Sequence, residues 1–107
     1  MNAPTSCKTK HATTVLKTNA AFLRTVGDAN RLRILCLLQK REHCVCEIWQ
    51  HLGLAQNLTS HHLSVLKELN LIHARKDGLK VFYSMNRKVM TRYLRSLTPI
   101  LWRTKQS

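Results

Sequence analysis

Two cysteines one residue apart, Cys44 and Cys46 in the run HCVCEIW (residues 43–49), are the residues of this 107-residue chain best suited to chemistry. Thiolates bind soft and borderline ions such as As(III), Sb(III), Cd(II), Pb(II) and Zn(II), and they shed protons as they do so. In a regular helix, side chains at i and i+2 diverge by about 200°. Both sulfurs can therefore meet one ion only where the backbone is extended or unwound, and an ion held by both is expected to fray or re-aim the start of the helix that follows. Two thiols seldom complete a site. Cys7, His11, His43 and His51 are the candidates for a third ligand. Cys7 is chosen, because As(III) favours a three-sulfur pyramid and an N-terminal arm can reach across to a second subunit; His43 is expected to be solvated. Cys36 lies in an apolar run and reads as a small buried hydrophobe. His51, His61, His62 and His73 read as surface or packed histidines, since none has an i, i+4 partner that would make a second site.

The elements that position these thiols belong to a strongly basic chain. Its 18 Lys and Arg against 5 Asp and Glu give a formal charge of +13, which points to a polyanionic partner. No apolar run approaches the ~20 residues of a membrane span, so nucleic acid is favoured over a membrane. The N-terminal stretch MNAPTSCKTKHATT has no apolar leader, which predicts a cytoplasmic protein with reduced cysteines. One domain of this size buries a modest core, and pairing with a second copy would enlarge it.

Residues 1–12 read as a flexible polar arm, 13–103 as the folded domain and 104–107 as a tail. Leu16, Ala20 and Leu23, with Phe22 and Val26 beside them, predict a first helix closed by Gly27. Asp28 is a good N-cap for a second, core helix carrying Leu32, Ile34, Leu35, Leu37 and Leu38. A short helix follows, with Ile48 and Leu52 on one side and Gly53 as its stop. The next helix puts Thr59, His62, Leu63, Leu66 and Leu69 on one stripe and Gln56, Asn57, Ser60, His61 and Ser64 on the other. Two helices joined by a Gly-containing turn, the second with a polar face able to bond base edges, form a helix-turn-helix reader. The segment LIHARKDGLKVFYSM (residues 71–85) predicts a hairpin turning at Asp77–Gly78, a basic wing with Arg75, Lys76 and Lys80 on phosphates or in the minor groove beside the helix. Lys67 joins the reader set. With about 6 phosphates neutralised per dimer, log K should fall with log salt at a slope of about −5. A last helix from about Asn86 carries Val89, Tyr93, Leu97, Ile100 and Leu101, with Pro99 bending or ending it. Leu16, Phe22, Leu94, Leu97 and Leu101 are expected to form a two-fold interface. The fold expected is mainly α with a β-hairpin wing, a homodimeric winged helix-turn-helix.

The motifs GDANRLRIL (27–35), HCVCEI (43–48), SHHLSVLKELNLI (60–72) and DGLKVFYSM (77–85) together resemble the ArsR/SmtB family of winged-helix repressors over residues 14–102. The resemblance implies a homodimer that represses its operon until a toxic metal or metalloid ion binds, and it identifies Cys44 and Cys46 with the family's CxC thiolates. The commonest arsenic-sensing pattern has a third cysteine where Trp49 stands here. Cys7 instead resembles the N-terminal cysteine of members that sense cadmium and lead, which leaves As(III) or Sb(III) and Cd(II) or Pb(II) all open as inducer. Residues 86–107 contain no His, Asp, Glu or Cys, which disfavours the family's zinc site on the last helix.

The reading is therefore a metal-responsive repressor of operator DNA and not an enzyme. Its nearest rival is a redox or sulfur-responsive repressor using the same cysteines. A small thiol oxidoreductase lacks a visible nucleophile, base and acid set, and an architectural DNA-binding protein would differ by binding without sequence preference.

Overall fold

The computed structural model describes residues 10–103, with side chains from residue 12 onward. Cys7 and the rest of the expected arm up to residue 9, together with residues 104–107, lie outside them, as does the side chain of His11. Eight elements follow in order: α1 (Lys10–Val26), α2 (Ala29–Lys40), β1 (His43–Cys44), α3 (Val45–Leu52), α4 (Gln56–Glu68), β2 (Ile72–Asp77), β3 (Lys80–Met85) and α5 (Arg87–Leu101). The first helix begins at Lys10, inside the stretch expected to be an arm.

Local chemistry sets most of the boundaries. The Asp28 carboxylate accepts the N–H groups of Asn30 at 2.9 Å and Arg31 at 3.1 Å, satisfying two donors that open α2. These bonds hold its carboxyl below the usual carboxylate range. Gly53 adopts φ 68°, ending α3, while its N–H and that of Leu54 close back on Gln50 and Trp49. Asn70 takes the same left-handed role after α4 at φ 60°. There Asn70 N–H bonds Lys67 O at 2.9 Å and Leu71 N–H bonds Leu66 O at 3.1 Å, and Leu66 and Leu71 are both fully buried. That contact between residues flanking the stop is the usual apolar partner of such a cap.

Ile34, Leu35 and Leu38 from α2, Ile48 and Leu52 from α3, and Leu63 and Leu66 from α4 form the centre of the core. Two expectations are corrected here. Leu32 is 52% exposed and Cys36 is also exposed, because both sit about 200° around α2 from Ile34. Phe22 and Leu97, assigned to a two-fold interface, are buried inside the protomer, where Phe22 stacks on Tyr93 at 4.6 Å. Pro99, expected to bend or end the last helix, lies within α5 two residues before its end at Leu101.

The wing is a three-stranded antiparallel sheet of order β1-β3-β2. Asp77 pairs with Lys80, so the loop is Gly78–Leu79 and not Asp77–Gly78. Only Gly78 has positive φ, at 64°, which fits a turn with glycine at its first central position. The short strand β1 is an addition to the expected hairpin; it pairs His43 with Tyr83 and Cys44 with Phe82.

Candidate nucleic-acid interface and thiol site

The two faces of α4 separate as the sequence predicts. Thr59, His62, Leu63 and Leu66 are buried, whereas Gln56, Asn57, Ser60, His61, Ser64 and Lys67 are exposed. Ala55 supplies no side-chain cap, which leaves most of the first-turn N–H groups at the positive end of the helix dipole, where a phosphate oxygen is a favourable acceptor. Asn57 uses its own Oδ1 to accept the Leu58 N–H at 2.9 Å.

The buried side of this helix is pinned by a polar contact. Arg31 donates through Nε to Thr25 O at 2.6 Å and through Nη1 to His62 Nδ1 at 3.2 Å. Arginine has no acceptor, so Nδ1 of His62 must carry the lone pair and Nε2 the proton. Burial pushes the His62 imidazole below its ordinary pKa, with Asp28 pulling the other way. His62 therefore fastens the reader helix to the start of α2, a role that spacing alone did not reveal.

Leu16 is half-buried on α1, and Leu94 and Leu101 of α5 remain exposed at 50% and 64%. Leu23 and Trp102 add further exposed apolar surface to these two helices' ends of the protomer.

On the wing, Lys76 and Lys80 are exposed and Arg75 is not free. Arg75 donates to both oxygens of Glu42, at 3.0 and 2.7 Å, lies 3.8 Å from Asp77 and stacks 4.9 Å from the Phe82 ring centroid. The Arg75 bond holds the Glu42 carboxyl below its ordinary range, and Glu42 raises the guanidinium. Arg75, expected on phosphate, is thus engaged by Glu42 in this structure while its side chain stays 53% exposed.

Cys44 and Cys46 face each other with their sulfurs in bonding contact and their Cα atoms 5.4 Å apart. The i, i+2 obstacle is removed because Cys44 is not in the helix: it ends β1 and serves as the N-cap of α3, with extended φ −78° and ψ 158°. The two sulfurs thus converge in this structure with α3 formed from Val45 onward. Glu47 Oε1 accepts the Cys44 N–H at 3.0 Å, and that bond together with Arg41, 3.5 Å away, keeps the Glu47 carboxyl below its usual range. Cys44 is 3% exposed and Cys46 half-buried.

His43, expected to be solvated, is only 6% exposed, and its Nδ1 donates to Arg41 O at 2.9 Å. His51, His61 and His73 are exposed. Among the described residues, no three His, Cys, Asp or Glu side chains gather as a complete metal set. The paired sulfurs fit a thiophilic ion as two of its ligands, and a three-sulfur set needs a donor from beyond the described residues. Also among them, no helix is long and apolar enough to cross a membrane.

The sequence profile described as bacterial regulatory protein, arsR family, matches residues 28–74. The arsenical resistance operon repressor of Staphylococcus aureus is 33% identical over 81 residues, spanning 76% of this chain and 78% of that protein. The cadmium resistance transcriptional regulatory protein CadC of Listeria innocua is 38% identical over 65 residues, 60% of this chain and 55% of CadC. In structure, the chain is similar to NolR from Sinorhizobium fredii, with TM-score 0.72 and 32% identity, covering 86% of this chain and 92% of NolR. The matched profile falls on the core helix, the thiol strand, the reader helix and the first wing strand, so the chain belongs to the ArsR family of winged helix-turn-helix transcriptional regulators.

Proposed function

We propose that the protein is a cytoplasmic metal-responsive repressor that binds operator DNA as a homodimer and is released when As(III) or Sb(III), or alternatively Cd(II) or Pb(II), is captured by Cys44, Cys46 and Cys7. The observation that carries this reading is the convergence of two sulfurs at the joint between β1 and α3, since α3 touches the reader helix and β1 is part of the wing sheet. Gln56, Asn57, Ser60, His61 and Ser64 read bases in the major groove, and Lys67, Lys76 and Lys80 neutralise phosphates. The exposed apolar side chains Leu94 and Leu101 of α5, with Leu23 and half-buried Leu16 of α1, supply the two-fold interface.

The test is binding of an operator duplex, followed by fluorescence anisotropy, with reduced protein titrated by As(III) and separately by Cd(II). Wild type should lose at least about fivefold in affinity on ion capture. Cys44→Ser should bind DNA without responding, and Cys7→Ser should need more ion. A Cys44→Ser protein that cannot bind DNA would show the cysteine to be structural and sink the sensor reading.

A second reading is favoured by the bonding contact of the two sulfurs: a redox-responsive repressor in which the paired thiols give two electrons and two protons to a disulfide oxidant, which leaves as two thiols. Release by oxidised glutathione in the presence of a chelator, with no response to either ion, would select it.

A further inference from the structure

Only five acidic residues stand in a chain of charge +13, and three of them, Glu42, Glu47 and Asp77, sit on the wing sheet or at its junction with α3. Carboxylates beside a DNA-binding wing repel phosphate, so their presence there calls for a structural return. Glu42 lies two residues before Cys44, and Arg75 lies in β2, on the opposite side of the central strand. The register puts Cys44, Phe82 and Arg75 in one cross-strand row. Over that row the Arg75 guanidinium covers the Phe82 ring and grips both Glu42 oxygens. A planar two-bond pairing of this kind fixes direction as well as distance, which a lysine or a single contact would not. The sheet's two outer strands are thereby tied to each other across β3, independently of the backbone ladder.

We propose that Glu42 and Arg75 form a positioning clamp that transmits ligand capture at the thiols to the wing, and that Arg75 acts through Glu42 instead of touching DNA. The proposal rests on the thiol-sensor reading above. Cys44 and Glu42 share the short segment entering α3, so a shift of Cys44 toward a bound ion moves the carboxylate that holds Arg75. The wing then re-aims with β2, and Lys76 and Lys80 leave their phosphate positions together.

The test compares wild type, Glu42→Gln and Arg75→Gln, as full-length reduced dimers, on a duplex selected by the protein from a random pool. Three quantities are read: thiolate-to-Cd(II) charge-transfer absorption, DNA affinity without ion across a salt series, and the ratio of DNA affinities without and with Cd(II). Glu42→Gln should bind Cd(II) with the wild-type absorption and hold DNA within about threefold of wild type, yet its Cd(II) response should shrink by about fivefold or more. Arg75→Gln should lose the response equally, with the wild-type salt slope, and the double variant should be no worse than either single one, as for residues acting as a unit. A Glu42→Gln protein that responds to Cd(II) like wild type overturns the clamp alone. So does an Arg75→Gln protein whose salt slope becomes shallower by about one per protomer, the mark of a phosphate that Arg75 had neutralised. Wild type that binds Cd(II) without losing DNA overturns the sensor reading, and the clamp with it.

Discussion

The reader helix and the wing are held by opposite kinds of interaction, although both are assigned to DNA. The reader helix sinks Thr59, Leu63 and Leu66 into the core to 1% exposure or less. Each buried leucine contributes about 1.5–3 kcal/mol relative to solvent. The hairpin buries Ile72 at its base, leaves its tip residue Leu79 fully exposed, and is steadied by Arg75 with half-exposed carboxylates. Exposed ion pairs contribute little to stability, the bidentate arginine pairs the most. On the proposed sensor reading, ligand coupling of about 1–3 kcal/mol would be enough to re-aim the wing and too little to unpack the reader helix. On that reading, sequence recognition falls to the rigid element and adjustment to the soft one.

The largest expected effect tests that contrast directly. Leu66→Ala should cost about 2–5 kcal/mol in urea unfolding followed by circular dichroism, because it opens a cavity at a fully buried site. Leu79→Ser at the wing tip should change stability by less than about 0.5 kcal/mol. Comparable losses for the two would erase the distinction between the elements.

A finer comparison uses two glycines in the same backbone state. Gly53 and Gly78 have φ of 68° and 64°, and a Cβ at either meets nothing within 4 Å, so alanine costs only backbone strain. That strain is about 1–2 kcal/mol for a left-handed residue. Gly53→Ala should show it in full, because the turn between α3 and α4 is locked to the core. Gly78→Ala should show less, since local opening of the hairpin relieves it. Equal shifts in melting temperature would mean that the wing unfolds only with the whole domain.

The helices and the wing were legible in the sequence because each carries a long-range pattern: the stripe Thr59, His62, Leu63, Leu66, Leu69 over three turns, and β-formers flanking a turn glycine. The family likeness was readable for the same reason. What escaped was decided by contacts between distant segments. A two-residue strand such as His43–Cys44 has no period to read, and its pairing with Tyr83 and Phe82 depends on β3 being in place. That strand in turn makes Cys44 an extended N-cap, the backbone state that two converging sulfurs require. Cys36 failed differently: within an apolar run, the choice of the buried face rests on 100° steps, and the run includes residues on both sides of α2. Charge alone placed Arg75 on DNA, and its pairing with Glu42, 33 residues away in the chain, had no local signal to read.

Acid should loosen the reader helix before it affects the wing's ion pairs. Burial keeps His62 below its ordinary value of 6.5, so the folded state disfavours the proton that the unfolded chain accepts. The stability from neutral His62 is complete above about pH 6.5 and drains away as pH falls toward the depressed folded value, where Arg31 would face a second donor. Glu42 and Glu47, held below 4.5, lose their contribution only at more acid pH. Unfolding free energy measured from pH 7.5 to 5 should therefore decline, and His62→Gln should flatten the slope. A slope unchanged in that variant would place the titrating group elsewhere.

The smallest effect on stability is expected from the wing lysines, and it separates affinity from reading. Lys76 and Lys80 are exposed and remote from the core, so Lys76→Gln should leave the melting temperature within a degree or two. On DNA it should weaken binding by a similar factor for every sequence tested and make the salt slope shallower by about one for each phosphate no longer neutralised. Asn57→Ala on the reader helix should instead narrow the gap between preferred and random duplexes with little change in salt slope, since the substitution removes a base-reading amide and no charge. If Lys76→Gln altered sequence preference, the wing would be reading bases in the minor groove, and the division between a rigid reader and a soft electrostatic arm would have to move to within the hairpin itself.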